Sequence, residues 1–418
     1  MKILVVGGGA REHAICWKLK ESDKVSKLYC APGNAGISQI AQCVDIKADE
    51  LEKIVEYSVN NNIDLVVVGP EAPLVLGLVD MLNEKGIKAF GPVRAGAEFE
   101  GSKSYSKDFM KKYSIPSAQY EVYTDSKKAI DNLNKFNTPI VVKADGLASG
   151  KGVLICETIK EAEEAIRSIM DDKQFGDAGN TVVIEEFLQG TESSLLCFVD
   201  GKRIIPMESA RDYKKAYDND GGLNTGGMGC FSPNPIYTEE LKKYIKDNII
   251  DRTLNGFLSE NIDFKGVLFI GLMIENNQAK VLEYNTRFGD PETEVILPRL
   301  KSDLVDVMLK CIEGNLSEDD LRWNDEKCVT VVLASGGYPE FYEKGKEITI
   351  LNDVDDDIII FHGGTKLSGG KTVTDGGRVL AITSMGSTIE EARNKVYNNI
   401  PNIHFEKMQF RKDIALGQ

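Results

Sequence analysis

Between residues 2 and 100, short apolar runs alternate with stretches of helical spacing, and few folds accommodate that rhythm. Residues 3–6 and 65–68 are continuous apolar runs, while 12–20, 49–60 and 74–83 carry helical patterns. A strand that is apolar at every position is buried on both faces. Strands alternating with helices build a parallel sheet with helices on either side. Ligands of such sheets lie where loops leave the carboxyl ends of the strands. Here those loops are Gly7-Gly8-Gly9 and Gly69-Pro70-Glu71-Ala72-Pro73.

The rhythm changes near Gly101. Helices are expected over 103–112, 127–136 and 160–170, and strands over 118–122, 140–143, 153–156 and 181–185. A second part carries strands near 193–200, 203–206, 266–274 and 279–284 and a long helix over 239–258. Residues 327–386 read mostly as strand, followed by a helix over 389–399. The class is α/β, in three units: a parallel-sheet α/β domain over 1–100, a two-part α+β body over 101–325 with a lid or flap over about 118–190, and a mostly β domain over 326–418. The acidic run Asp353, Asp355, Asp356 and Asp357 reads as a solvated turn rather than a metal site.

Charge and reactive side chains narrow the chemistry. The formal charge of −15 speaks against wrapping nucleic acid or lying on an anionic membrane, both of which need a positive surface. It says nothing against small anions, which meet a local cleft. The eight cysteines include no CxxC pair, so reduced thiols are expected rather than zinc or disulfides. The start of the chain has too short an apolar stretch for an export signal, and the apolar window 65–79 is broken by Pro70, Glu71 and Pro73. A cytoplasmic protein is expected. With only His13, His362 and His404, catalysis must rest on Lys, Arg, carboxylates, backbone amides or a metal.

Two glycine loops imitate familiar motifs and fail them. After Gly7 and Gly9 the third glycine of GxGxxG is replaced by Glu12. What remains is a strand-to-helix turn that offers amides to an anion, with Arg11 as a bidentate donor, or simply a tight turn bearing an arginine. In Asp145-Gly146-Leu147-Ala148-Ser149-Gly150-Lys151-Gly152 the first P-loop glycine is Asp145, and Gly152 stands where Ser or Thr is required. The loop still offers amides, Ser149 and Lys151 to phosphates as a flap between two strands.

Strands deliver the remaining charged groups. Lys143 ends an apolar strand just before the flap, where it either reaches water or meets a phosphate. Glu185 and Glu186 end another, followed by Phe187, Leu188 and Glu192; the carboxylates suit an adenine amino group or ribose hydroxyls, or a plain charged strand end. In Lys280-Val281-Leu282-Glu283-Tyr284-Asn285-Thr286-Arg287, alternation puts Glu283 and Asn285 on one face and Leu282 and Tyr284 on the other. A carboxylate beside a carboxamide oxygen suits Mg²⁺, which takes one or two protein oxygens plus phosphates and water. Arg287 follows on the same face, set to stabilise a phosphoryl group or to pair with Glu283. A further loop from Arg211 to Gly229 mixes cations with glycines.

Taken together, these segments resemble the glycinamide ribonucleotide synthetase (phosphoribosylamine–glycine ligase) family of ATP-grasp enzymes. The resemblance rests on GGGAREHA at 7–14, PGNAG at 32–36, VGPEAPLVLG at 68–77, GSK at 101–103, VVKADGLASGKGV at 141–153, IEEFLQGTE at 184–192, NTGGMG at 224–229, RFGDPETE at 287–294, GGYP at 336–339 and GGRVL at 376–380. It implies that ATP, glycine and 5-phosphoribosylamine give glycinamide ribonucleotide, ADP and phosphate through a glycyl phosphate. It implies ATP at Lys103, Lys143, Ser149, Gly150, Lys151, Glu185, Glu186, Phe187, Leu188 and Glu192. Mg²⁺ or Mn²⁺ falls at Glu283 and Asn285. The amine substrate falls at Gly9, Arg11, Gly33, Asn34, Gly69, Pro70, Glu71 and Lys214, with Arg287, Asp212 and Asp290 as catalytic groups. A monomer without nucleic-acid or membrane partners is expected. Another ATP-grasp ligase or carboxylase is the alternative, and a non-catalytic nucleotide sensor a third. Lys215 stands where the family commonly has Arg, and Leu223 where it often has Pro. Lysine lacks the bidentate fork, which puts any planar-anion role of position 215 in doubt.

Overall fold

The computed structural model describes residues 1–148 and 152–418. The expected flap residues Ser149, Gly150 and Lys151 lie outside the described residues.

The first sheet is parallel, in the order Gln42–Cys43, Lys27–Pro32, Lys2–Gly7, Leu65–Val68, Lys88–Phe90. Both faces are buried, as the unbroken apolar runs require. Ile3, Val5, Leu65 and Val67 face one core, and Leu4, Val6, Val66 and Val68 the other. The strands Lys27–Pro32 and Lys88–Phe90 have no counterpart among the expected elements. The order reverses between Lys2–Gly7 and Leu65–Val68, so the two glycine loops diverge above one crevice, where ligands of open α/β sheets bind. The helix expected over 74–83 is two, Glu71–Leu76 and Leu78–Glu84, broken at Gly77, whose φ of +92° is left-handed.

The second sheet orders Tyr120–Tyr123, Val182–Glu186, Ile140–Ala144 and Val153–Cys156, all antiparallel. Helix Ile159–Met170 seals one face with Ala162, Ala165, Ile166 and Ile169. The third orders Ile204–Pro206, Thr191–Asp200, Lys265–Glu275 and Gln278–Asn285. Its core includes Phe99, Phe109, Phe257 and Phe264, each worth about 1.5–3 kcal/mol of burial. The expected long helix runs from Glu239–Ile245 through a π-helical turn, Lys246–Ile250, into Asp251–Ser259.

The fourth sheet, Arg211–Asp212, Gly229–Ser232, Lys327–Ala334, Arg378–Gly386 and Ile359–His362, carries helix Ile389–Asn399. Two of its strands precede residue 325, so the boundary expected at 325/326 runs through a shared sheet. Asp353, Asp355, Asp356 and Asp357 are exposed, as a solvated turn should be. All eight cysteines are free. Among the described residues no helix is long and apolar enough to cross a membrane.

Candidate active site

A cavity of about 740 Å³ opens among the second, third and fourth sheets and the crevice of the first, with Lys103, Lys143, Glu185, Asp212, Glu283 and Arg287 in its wall. One end of it is a charged sandwich. Strand Ile140–Ala144 delivers Lys143 and helix Lys103–Lys112 delivers Lys107, and each Nζ lies 2.9 Å from one oxygen of Glu185. All three are buried. Burial pushes the Glu185 carboxyl up, but Lys143 and then Lys107 outweigh it and hold it below the ordinary carboxylate range. Burial also lowers Lys107 to about 8. The strand-end reading offered Glu185 to an adenine or ribose; in the structure its oxygens are occupied in fixing two lysines. Glu186 points the other way, accepting from Gln119 N at 3.0 Å and meeting Lys280 at 3.3 Å. Phe187, Leu188 and Glu192 line the cavity. Lys103 Nζ donates to Gly146 O at 3.0 Å, holding the base of the flap.

Glu283 and Asn285 share a face as alternation predicts, Asn285 Nδ2 lying 3.4 Å from Glu283 Oε1. Leu282 does not obey it. Gly271 pairs with Glu283 while Leu272 pairs with Val281, so Leu282 is the extra residue of a β-bulge. Val281 and Tyr284 therefore face the core, and Leu282 joins Glu283 in the cavity wall. Its carbonyl accepts from Lys143 Nζ at 3.4 Å. Burial raises the Glu283 carboxyl, but Lys143, Lys103 and Lys214 bring it below its ordinary value, so it is ionised at neutral pH. One ionised carboxylate and one amide oxygen are hard donors that fit a divalent cation sharing phosphate oxygens. Among the described residues no cluster of three or more His, Cys, Asp or Glu supplies a full ligand set by itself.

Arg287 does not pair with Glu283. Its Nη2 lies 2.8 Å from Glu100 Oε1 and its Nε 3.4 Å from Glu71 Oε2. Glu71 comes from the first sheet's crevice, so Arg287 joins that crevice to the rest of the cavity wall. Glu100 in turn accepts from Thr286 N at 2.7 Å.

At the opposite end Asp212 is ion-paired with Lys214, and no further protein donor among the described residues reaches its carboxylate oxygens. Burial, opposed by Lys214, pushes its carboxyl up to about 7. Asp290 Oδ1 lies 2.8 Å from Arg378 Nη1, which also donates to Gly226 O at 2.9 Å. Glu292 accepts from Ser194 Oγ at 2.7 Å. Gly227, at φ +121°, leaves no room for a Cβ, which would fall 2.6 Å from Asp212 Oδ1.

The crevice loops interlock. Gly9 N donates to Glu12 Oε2 and Arg11 Nε to Glu12 Oε1, both at 2.6 Å, and Arg11 reaches Phe288 O at 3.2 Å. Arg11 and Glu71 line the cavity. Gly69 packs against Glu12, and Pro70 precedes helix Glu71–Leu76 as its N-cap. Asn34 follows Gly33, and its amide acts as a staple. It accepts from Gly36 N and Ile37 N at 3.0 and 2.9 Å and donates to Gly8 O at 2.9 Å and His362 O at 2.6 Å. His13 Nδ1 accepts from His362 N at 2.8 Å beneath it. Burial lowers His13 to about 3 and His362 to about 4.

Sequence reasoning misses Lys107, Glu100 and Arg378 as parts of this site. Lys107 is one helical turn beyond Lys103, and Glu100 stands next to Gly101-Ser102-Lys103. Arg378 follows Gly376-Gly377, a glycine pair that marks close backbone approach. Of the two departures, Lys215 lines the cavity and meets Arg411 Nη1 through its main-chain carbonyl at 3.2 Å, and Leu223 is 55% exposed.

Comparison with known proteins agrees in all three regions. Residues 1–100 match the phosphoribosylglycinamide synthetase N domain, 101–293 its ATP-grasp (A) domain and 328–417 its C domain. A phosphoribosylamine–glycine ligase from Clostridium acetobutylicum is 48% identical over 415 residues, 99% of each chain. The crystal structure of phosphoribosylamine–glycine ligase from Thermotoga maritima superposes with a TM-score of 0.87 at 36% identity, covering 99% of this chain and 100% of that one. A biotin carboxylase from Campylobacter jejuni shares the fold, with a TM-score of 0.78 at 15% identity over 99% of this chain and 94% of that one.

Proposed function

Because the chain belongs to the phosphoribosylglycinamide synthetase family, we propose that its cavity is where glycine is phosphorylated by ATP and then captured by the amine of 5-phosphoribosylamine. The chain is an ATP-grasp ligase of purine biosynthesis. The observation that carries the assignment of roles is the continuity of one cavity wall from Lys143 through Glu283 and Arg287 to Asp212.

Lys103 and Lys143 hold the ATP phosphates, with Ser149, Gly150 and Lys151, outside the described residues, as further phosphate-binding residues. Glu185 keeps Lys107 and Lys143 in place, and the segment Glu186 to Leu188 with Glu192 borders the nucleoside. Glu283 and Asn285 would hold Mg²⁺ or Mn²⁺, which neutralises phosphate charge when bound. Arg287 stabilises charge on the transferred phosphoryl group, the dominant need of a reaction governed by positioning and electrostatics. Gly9, Arg11, Gly33, Gly69, Pro70 and Glu71 form the crevice for the phosphorylated sugar, with Asn34 fixing its loops. Asp212, Lys214 and Asp290 lie toward glycine and the amine, and Asp212 can accept hydrogen bonds from an ammonium or amine. The same reading has one chain supplying the whole wall, in a monomer acting in the cytoplasm, with three units over 1–100, 101–325 and 326–418.

A phosphate-release assay that omits each substrate in turn tests this reading. Phosphate should appear only when ATP, glycine and phosphoribosylamine are all present. Turnover with neither glycine nor the amine, or with bicarbonate in place of glycine, would overturn it.

A further inference from the structure

The hairpin made by Lys215–Tyr217 and Gly221–Asn224 stands beside the acceptor end and cannot set its own position. Its ladder holds two residue pairs with an irregularity between them, and Tyr217 and Leu223 are half exposed. A two-stranded hairpin of this kind is marginal in water. Asp212 and Lys214 lie just before it and Gly226 and Gly227 just after, so the hairpin's placement becomes theirs.

An arginine distant in sequence grips it. Arg411 is 1% exposed, and Asp413 takes its Nε and Nη2 in a fork at 2.8 and 2.7 Å. The remaining arm, Nη1, donates to Asp220 Oδ1 at 2.8 Å in the hairpin turn and to Lys215 O at 3.2 Å at the hairpin base. The guanidinium also lies over the Tyr213 ring, 4.9 Å from its centroid, and the Tyr213 hydroxyl accepts from Ala415 N at 3.1 Å. Asp413 Oδ2 and Asp218 Oδ1 extend the grip by accepting from Asn219 N at 2.9 Å and Lys412 N at 2.7 Å. On the far side, Gly226 N donates to the Tyr338 hydroxyl at 3.1 Å and its carbonyl accepts from Arg378. The acceptor loop is thus held at both ends by the region beyond residue 326.

We propose that Arg411 is a positioning residue for the ligation: through the turn at Asp220 and the base at Lys215 it fixes Asp212 and Lys214 against the incoming amine. The proposal rests on the reading of Asp212 and Lys214 as acceptor-side groups. A fork with three simultaneous partners and a ring face is specific to arginine, and lysine keeps the charge without the geometry. Because none of the contacts of Arg411 is to Lys103 or Lys143, loosening them should leave ATP binding alone. An activated glycine facing a misplaced acceptor would then lose its phosphate to water.

The test compares Arg411→Lys and Asp220→Asn with the wild-type chain, measuring KM for ATP, glycine and the amine and the phosphate released per ligated product. Losing charge-assisted hydrogen bonds at Arg411 should raise KM for glycine and the amine by about tenfold and raise the phosphate-to-product ratio, with KM for ATP unchanged. Asp220→Asn should shift the same quantities in the same direction by less. Its carboxylate is exposed, so it carries the test even where the arginine variant folds poorly. A merely structural arginine predicts a lower kcat alone, in proportion to folded protein, and that result would overturn the proposal, as would three unchanged KM values. Asp212→Asn is assayed alongside. If it turns over normally, the acceptor-side reading itself fails; if it is impaired while both grip variants are normal, only the role of Arg411 is lost.

Discussion

At the proposed nucleotide end of the cavity Glu185 lies between Lys107 and Lys143 with a 2.9 Å ion pair on each oxygen, whereas at the proposed acceptor end Asp212 has a single ion pair, to Lys214, and the buried Glu294 pairs with no cation among the described residues. The first arrangement meets its desolvation cost within the protein, because each buried charge has a partner. The second meets less of it: with Lys214 as its one ion-pair partner, Asp212 has its carboxyl pushed up to about 7 by burial, and that of Glu294 is raised as well. On the proposed reading, the first end holds its lysines in place for phosphates before any ligand arrives. The acceptor end keeps hydrogen-bonding capacity in reserve for groups a substrate brings, and it relies on distant segments to hold it open.

The sharpest way to break this contrast is at Arg287, which spans both ends. Arg287→Ala should lower kcat roughly 10³-fold with an unchanged fold, because phosphoryl transfer loses its fixed cation. Steady-state kinetics beside circular dichroism check this, and a loss below tenfold would separate Arg287 from the transfer. Glu283→Gln should follow with about 10²–10³-fold, at constant thermal midpoint.

The paired end answers in stability. Glu185→Gln leaves two buried lysines without their carboxylate and should cost about 3–5 kcal/mol in a urea melt. An unchanged midpoint would mean that the sandwich is not what holds the lid strands together.

Acid should separate the two ends. His13 and His362, beneath the Asn34 staple, are held neutral in the fold at values of about 3 and 4, below their ordinary range. Between pH 6.5 and about 4 the unfolded chain binds protons there that the folded chain refuses, so stability falls with falling pH, by up to about 1.4 kcal/mol per unit for each group. The depressed Glu185 acts later, its contribution persisting until pH falls through its folded value, below 4.5. Hydrogen exchange at pH 5 against pH 7, corrected for intrinsic rates, should show loosening at 33–37 and 362–365 before 140–144. The smallest effect is expected at the hairpin, where Lys215→Arg should change turnover by no more than about twofold, since the base contact is made by the main chain.

What could be read from the sequence follows the same division. The nucleotide end is assembled from contiguous strand-and-loop segments such as 141–153 and 184–192, so its residue types sit side by side in the chain. Glu283 and Asn285 were legible through simple alternation. The bulge at Leu282 was not, because nothing in 280–285 breaks the period and the one sign, Gly271, lies on the opposite strand. Arg378, Glu100 and Arg411 act across separations of more than 150 residues in these contacts, with Gly226, Arg287 and Asp220. No local spacing encodes such partnerships. Asn34 shows the converse, since a motif position that looks like a ligand donor uses its amide to staple loops.

The shared fourth sheet has a consequence for how the molecule is made. Strands Arg211–Asp212 and Gly229–Ser232 flank the acceptor loop, but the neighbour that completes their ladder, Lys327–Ala334, is synthesised about a hundred residues later. During translation, at about 5–20 residues per second, the lid can close its own sheet while the strands flanking the acceptor loop have only each other to pair with. A nascent chain would therefore acquire the means to grip ATP before the means to spend it on an amine, and ribosome-bound intermediates halted near residue 300 should protect the lid strands while leaving 211–232 open to protease.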